Sequence, residues 1–310
     1  MFLIILLAPR NRTLIATCCQ LAGIGGAAVL SPVFLLIFPL LGPSYPLPTA
    51  AAAIASALLT ECFGFASGLS GYWRRGLVDW GIAARFIIVS IPSALIGAIA
   101  AESLSQNTTL LRGVYAALMI GLALFLTLSE NPESILEEEC ALPGESEDGV
   151  QDGFRRLNAA DGTPYFYLQP RDGDWKSTGV TLAGSGLTGL LGVGVGEVVL
   201  PQLIRTCCMP LPVAAGTSVA VVVLTALTAA VVQFATLASM VSGEGGLASG
   251  LLQVIPFSLV QFTIPGALLG GQIAPYLASR RVFSDEEIEK FAATLFGTIG
   301  LAFAVKCVMG

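Results

Sequence analysis

The sequence has 310 residues, of which 55% are hydrophobic and only 12% are charged. Soluble domains carry about 25% charged residues, so the composition excludes a soluble protein and predicts an all-α polytopic membrane protein. The net charge of −6 does not indicate a basic or nucleic-acid partner, because residues 130–176 hold 12 of the 21 acidic and 4 of the 15 basic residues. The chain has no histidine, which removes the commonest metal ligand, and we expect neither a metal nor a cofactor.

The first half begins with an apolar segment, residues 14–41, that cannot be one regular helix. A glycine inside a helix costs roughly 1 kcal/mol and a proline roughly 3 kcal/mol, so we predict a broken, re-entrant helix hairpin here. The interrupting residues are Gly23, Gly25, Gly26 and Pro32. Three further apolar segments each approach the ~20 residues of a spanning helix, namely 49–69, 80–101 and 110–128. Residues 1–129 are therefore predicted to form a first transmembrane repeat.

Residues 130–178 differ from the rest of the chain because they are polar and acidic. We predict an extramembrane, cytoplasmic loop. Within it, the runs Phe154–Leu157 and Tyr165–Leu168 flank Asp161-Gly162, a pattern typical of a β-hairpin. The loop is either a simple linker or a regulatory or docking element, and the sequence leaves both alternatives open.

The second half, residues 179–310, repeats the first. Four stretches match in the same order, and they pair 192–201 with 23–32, 210–215 with 46–51, 264–270 with 91–97 and 299–302 with 120–123. We therefore predict a tandem duplication in which each repeat has one broken helix hairpin and three spanning helices. In the second repeat these helices are 213–240, 247–277 and 288–308.

Paired arginines suggest how the repeats are oriented. Arg74 and Arg75 follow the second apolar segment of the first repeat, and Arg280 and Arg281 follow the third segment of the second. Basic loops favour the cytoplasm. If each broken segment enters and returns on one side, both pairs lie in the cytoplasm and the two repeats are inverted. Against this stand two arginines near the start of the chain, at positions 10 and 12, which would then face outward.

Broken helices inside a membrane offer a binding site for anions. A half-helix that begins at mid-membrane presents free N–H groups and the positive end of its dipole. We expect two such breaks to meet near the midplane, although clustered small residues also serve close helix packing. The predicted substrate-binding residues are Gly23, Gly25, Gly26, Gly192, Gly194, Gly196, Gln202, Thr217 and Ser218. Thr217 and Ser218 either complete the anion shell or bond to their own helix carbonyls.

Few ionisable residues interrupt the apolar segments, and each is a functional candidate because buried charge is expensive in a bilayer. Glu197 lies in the second glycine cluster. It either carries a coupled proton or holds the broken backbone by accepting amide hydrogen bonds. Glu61 is either a coupling residue or part of a structural pair. Pro32 and Pro201, which close the two glycine clusters, are predicted to break their helices.

These motifs resemble the TauE/SafE sulfite exporter family. The likeness lies in the two glycine clusters with their prolines, in residues 214–218 and 74–80, and in the two related segments at 91–97 and 264–270. It covers nearly the whole chain except the acidic loop. The first cluster departs from the pattern, since Ala27 replaces its third glycine. The resemblance implies a membrane transporter for sulfite, sulfonates or related small organic anions, driven by an ion gradient.

We therefore predict a secondary transporter, not an enzyme, for a small sulfur-containing anion such as sulfite or sulfoacetate. It would work by alternating access around the two broken helices. The alternative is a passive anion channel of the same architecture. The expected partners are the bilayer, here the plasma (bacterial inner) membrane, and a coupled proton or sodium ion, with a homo-oligomeric state left open.

Overall fold

The computed structural model describes residues 27–37, 49–128, 154–169, 175–241, 250–251, 254–255, 257–279 and 285–309. The helices are α1 Ala27–Pro32, which continues as a π-helical turn Val33–Ile37, α2 Ala50–Arg74, α3 Trp80–Ser105, α4 Thr108–Leu128, α5 Trp175–Leu191, α6 Val195–Cys207, α7 Leu211–Val241, α8 Phe257–Ser279 and α9 Asp285–Met309. Two strands, β1 Phe154–Asn158 and β2 Pro164–Leu168, lie between α4 and α5. Gly23, Gly25, Gly26, Arg280 and Arg281 lie outside the described residues.

Four of these helices are long and apolar enough to cross a membrane: α2, α3, the stretch Thr109–Leu128 of α4, and α7. Their outer faces carry large apolar side chains, such as Ile88, which is 72% exposed, and Ile96, which is 68% exposed. Such a surface suits contact with lipid. The prediction of an all-α membrane region is confirmed for the described chain, and the protein is an integral multi-pass membrane protein.

The antiparallel pair α2 and α7 forms the centre of the helical bundle. Ala51 and Ala55 near the start of α2 pack with Phe234 and Leu237 near the end of α7. At the other end, a Cβ added to Gly216 of α7 would lie 3.2 Å from the Cβ of Tyr72. Helix α3 packs against α7, and α8 packs against α2.

Helix α8 runs parallel to α2. The Thr60 and Thr263 hydroxyl oxygens lie 2.9 Å apart, and further along both helices Gly71 faces Pro275. Ser279, the last residue of α8, therefore ends on the same side of the bundle as Arg74. On the flank of the bundle, α4 and α9 pack against each other, and the rings of Tyr115 and Phe303 stack with centroids 4.9 Å apart.

The two strands form the antiparallel hairpin that the sequence predicts around Asp161-Gly162, with Arg156 opposite Phe166 at its centre. The hairpin rests on the loop between α2 and α3, where the Ala160 amide donates to the Arg75 carbonyl at 2.8 Å. The side chain of Tyr167 is fully buried against the bundle. This part of the acidic loop is therefore a docked element rather than a free linker.

Asp79 connects the hairpin to the helices. Its Oδ1 caps α3 by accepting from the Gly81 amide at 2.8 Å and the Ile82 amide at 3.1 Å. Its Oδ2 accepts from the Tyr167 hydroxyl at 2.6 Å and pairs with Arg155 Nε at 3.1 Å. Burial, together with the bond to Asp79, raises the pKa of the Tyr167 hydroxyl well above its ordinary value, so this group remains a donor.

We expect Tyr167→Phe to destabilise the protein by about 1–3 kcal/mol, since a hydrogen bond to a buried carboxylate is lost. Thermal unfolding in detergent measures the effect. Arg156→Ala is the control, because Arg156 contacts only hairpin partners in the described contacts, Asn158 and the Phe166 ring. Equal losses of stability in the two variants would contradict the role given to Asp79.

Candidate functional site

Helices α5 and α6 form an antiparallel pair that turns at residues 192–194. The Thr181 hydroxyl of α5 donates to Gln202 Oε1 of α6 at 2.9 Å, and Gly184 faces Val198. The helices have 17 and 13 residues, or about 26 and 20 Å at 1.5 Å per residue. Each is shorter than the ~30 Å hydrocarbon core of a bilayer. The last turn of α5 packs beside Ala98, within the length of α3, because a Cβ on Gly189 would lie 2.8 Å from the Ala98 amide nitrogen.

The turn has a backbone conformation that favours glycine. Gly192 has φ +80° and Gly194, the residue before α6, has φ +141°. A Cβ on Gly194 would lie 2.5 Å from the Gly184 carbonyl oxygen, whereas one on Gly192 would meet its neighbours at 3.3 Å or more. Gly194 is therefore required both for its φ angle and for the close approach of the two helices.

Side chains satisfy the amides at the start of α6. The Gly194 amide donates to Glu197 Oε2 at 3.0 Å, and the Val195 amide donates to the Thr188 hydroxyl at 2.7 Å. The first contact is the one expected if Glu197 holds the broken backbone, and the role of Glu197 in coupling remains a prediction. Its carboxylate takes the position at the helix N-terminus where an external anion would bind.

The start of α1 lies against this turn. The first amide of α1, at Ala27, donates to Glu61 Oε2 at 3.2 Å. A Cβ on Gly192 would be 3.5 Å from the Ala27 Cβ and 3.4 Å from the Ser31 hydroxyl oxygen. Glu61 is 3% exposed and Glu197 7% exposed, and the two carboxyl groups are close enough for their charges to interact. A short helix from each half of the chain therefore meets here, and a glutamate accepts from a backbone amide at the start of each.

Three further polar side chains surround the turn. The Tyr115 hydroxyl donates to the Leu191 carbonyl, and Gln233 Nε2 donates to the Gly189 carbonyl at 2.5 Å. Ser31 is fully buried, and its hydroxyl lies close to the Tyr115 hydroxyl but makes no hydrogen bond of good geometry to a described residue. Gln233 Oε1 likewise has no hydrogen-bond partner among the described residues. Buried polar atoms without partners are rare in proteins, so within the described part of the chain these two atoms retain hydrogen-bonding capacity.

The structure does not bring Thr217 and Ser218 to the turn. The Thr217 hydroxyl accepts from the Asp79 amide at 3.1 Å, and Ser218 donates to the Ala215 carbonyl of its own helix at 3.1 Å. Their neighbour Gly216 packs against Tyr72, about three helical turns or 16 Å along α2 from Glu61. Both hydroxyls therefore bond within the protein near the hairpin.

The remaining predicted residues lie along α1 and α6. Gly196 is buried in the first turn of α6, and Gln202 ties α6 to Ser177 and Thr181 of α5. Pro32 is the last residue of α1, before the π-helical turn. Helix α6 continues through Pro201 to Cys207, so the interruption of the second segment falls at its glycines.

Sequence reasoning missed Ser31, Thr188, Tyr115, Gln233 and Asp79. Asp79 carried a usable signal, because an Asp just before an apolar periodic segment is a typical helix cap. The other four are single hydroxyl or amide residues in apolar helices, and only the packing of α1, α4, α5 and α7 brings them together. Among the described residues, no group of three His, Cys, Asp or Glu is placed to hold a metal ion.

The loss of stability on replacing a glycine at the turn should depend on its φ angle and on the space around it. We expect Gly194→Ala to destabilise the protein by about 2–5 kcal/mol, because backbone strain adds to a steric clash. Gly192→Ala should destabilise the protein by about 1–2 kcal/mol from backbone strain alone. Gly113→Ala, in a helix with open space around it, should be neutral or slightly stabilising. Melting temperatures in detergent test the order, and a Gly194→Ala variant that melts like the parent would contradict it.

Comparison with known proteins agrees with the resemblance in the sequence. The chain is 25% identical over 257 residues to the "Probable membrane transporter protein YunE" of Bacillus subtilis (strain 168). The matched stretch covers 82% of this chain and 81% of that protein. It is 34% identical over 104 residues to a "Probable membrane transporter protein" of Xylella fastidiosa (strain 9a5c), covering 34% of this chain and 37% of that protein. No solved structure matches the chain. The family described as "Sulfite exporter TauE/SafE" matches residues 13–303, and the chain therefore belongs to this family.

Proposed function

We propose that the protein is a secondary transporter of a small sulfur-containing anion, sulfite or an organosulfonate such as sulfoacetate. The anion would bind at the turn between α5 and α6. The observation that carries this proposal is the fully buried Ser31 hydroxyl, which faces Gly192, lies close to the Tyr115 hydroxyl and makes no hydrogen bond of good geometry to a described residue. It lies beside the N-terminal end of α6, where the helix dipole favours negative charge.

A second line of support is the family itself. Its description names sulfite export, and both relatives are named as probable membrane transporters. Sulfite and sulfonates present several acceptor oxygens to hydroxyl and amide donors. Such an anion can be held without a charged side chain, which fits a site with glycines, a serine and few cations.

The path of the chain supports a re-entrant segment. Helix α5 begins shortly after the docked hairpin, and Cys207 at the end of α6 lies close enough to Asp79 for an electrostatic interaction. The chain thus reaches the turn from the hairpin side and returns to that side. Helix α8 also ends on this side, which supports the prediction that both arginine pairs share one face.

The packing pairs support two inverted repeats with three spanning helices each. In the predicted duplication, α2 corresponds to α7 and α3 to α8. The contact of α2 with α8 then has its counterpart in the contact of α7 with α3. An odd number of crossings between the copies inverts the second copy. Alternating access would move one repeat against the other around the turn.

A secondary transporter shows counterflow of its substrate, whereas a passive channel does not. We expect proteoliposomes that are preloaded with unlabelled sulfite to accumulate labelled sulfite above equilibrium, with a saturable rate. Rapid equilibration without accumulation would instead favour the anion channel, and no sulfite or organosulfonate flux at all would contradict both.

The Ser31 hydroxyl should contribute directly to anion affinity. We expect Ser31→Ala to raise the half-saturating concentration of sulfite about three- to tenfold, the effect of one lost hydrogen bond. Ser90→Ala is a matched control, since Ser90 is also fully buried, and its hydroxyl lacks a partner among the described residues, but it lies on α3. Equal effects of the two variants on sulfite affinity would contradict the assignment of the site.

A further inference from the structure

The amide at the start of α6 is already engaged by a carboxylate. Glu197 Oε2 accepts from Gly194 N at 3.0 Å, and the side chain is buried within the turn. A carboxylate and a small sulfur oxyanion have the same requirement, negative oxygens that accept hydrogen bonds. At one helix N-terminus they compete for the same donor and the same dipole.

The surroundings of Glu197 disfavour two negative charges at once. Its carboxyl group interacts electrostatically with Glu61 of α2 and with Tyr115 of α4, and Cys62 of α2 lies close to Glu61. None of these three groups carries a positive charge. An entering anion would add a further negative charge to a buried pair of carboxyl groups, and like charges that share a site favour protonation of one of them.

The turn offers the anion a hydroxyl donor that Glu197 does not use. The buried Ser31 hydroxyl lies next to Gly192 and near the Tyr115 hydroxyl, and it makes no hydrogen bond of good geometry to a described residue. An anion bound to Ser31 would be adjacent to Gly194 and could take over its amide once Glu197 withdraws its charge.

We propose that Glu197 is an internal competitor of the transported anion and the proton-binding residue that couples transport to a proton gradient. This inference rests on the proposed function. On binding, Glu197 takes up one proton, its hydrogen bond from Gly194 N breaks, and that amide donates to the anion instead. Anion and proton therefore bind together, and the proton neutralises one unit of negative charge for each anion bound.

Isothermal titration of the purified full-length protein with methanesulfonate tests the coupling, because the charge of this anion does not change near neutral pH. Titrations in buffers of different ionisation enthalpy give the number of protons taken up. We expect about one proton per anion, and an affinity that falls up to tenfold per unit rise in pH over the range where Glu197 titrates.

Glu197→Gln keeps an acceptor for Gly194 N but cannot bind a proton. We expect this variant to bind methanesulfonate without proton uptake and with an affinity independent of pH. Glu61→Gln, which removes the neighbouring charge, should retain uptake of one proton. If neither variant folds, the proton count of the parent protein still tests whether a proton accompanies the anion, and a count of zero overturns the inference.

Three results would overturn the inference. Binding heats that do not depend on the buffer would exclude proton uptake while leaving the proposed function intact. Transport that follows a sodium gradient and ignores pH would assign coupling to a different ion. Titrations in which neither sulfite nor methanesulfonate binds would overturn the proposed function itself, and the coupling with it.

Discussion

Backbone amides that begin a helix in an apolar interior cannot be hydrated, and most of this architecture follows from how they are satisfied. At the turn between α5 and α6, Glu197 and Thr188 accept from two successive amides. At the start of α1, Glu61 accepts from the Ala27 amide. These contacts fix the N-terminal ends of the short helices α1 and α6 within the bundle. They also explain why costly carboxyl groups lie where apolar residues would otherwise pack, since each replaces a solvent that is absent.

The same interaction relates structure to function. A helix N-terminus that attracts an internal carboxylate also attracts an external anion. In the proposed mechanism two negative groups exchange at this site, whose first amides are already engaged by side chains. The small residues around it keep the exchange compact, because Gly192 allows Ser31 and Ala27 to approach closely. Packing between α2, α5 and α7 fixes the position of the turn, and the outer helices face lipid.

Local signals in the sequence were sufficient for the helices, the second glycine turn and the hairpin, because apolar length, glycine and Asp-Gly act over a few residues. They also indicated Glu197 as a residue of the turn. Long-range pairings could not be read in this way. Thr217 had the same chemistry as a binding residue, but its hydroxyl accepts from the Asp79 amide. Ser31 and Gln233 look unremarkable in their own helices, and only the contact of α1 and α7 with the turn gives them a role.

The hairpin imposes an order on how the molecule is built. One oxygen of Asp79 caps α3. The other accepts a hydrogen bond from Tyr167, which lies 88 positions later in the chain. During translation, α3 and α4 are synthesised before the hairpin that completes the end of α3. The first half therefore reaches its final loop geometry only as the second half begins to emerge from the ribosome. If the two halves were expressed as separate chains, the hydrogen bond between Tyr167 and Asp79 would form only if residues 154–169 could still reach Asp79.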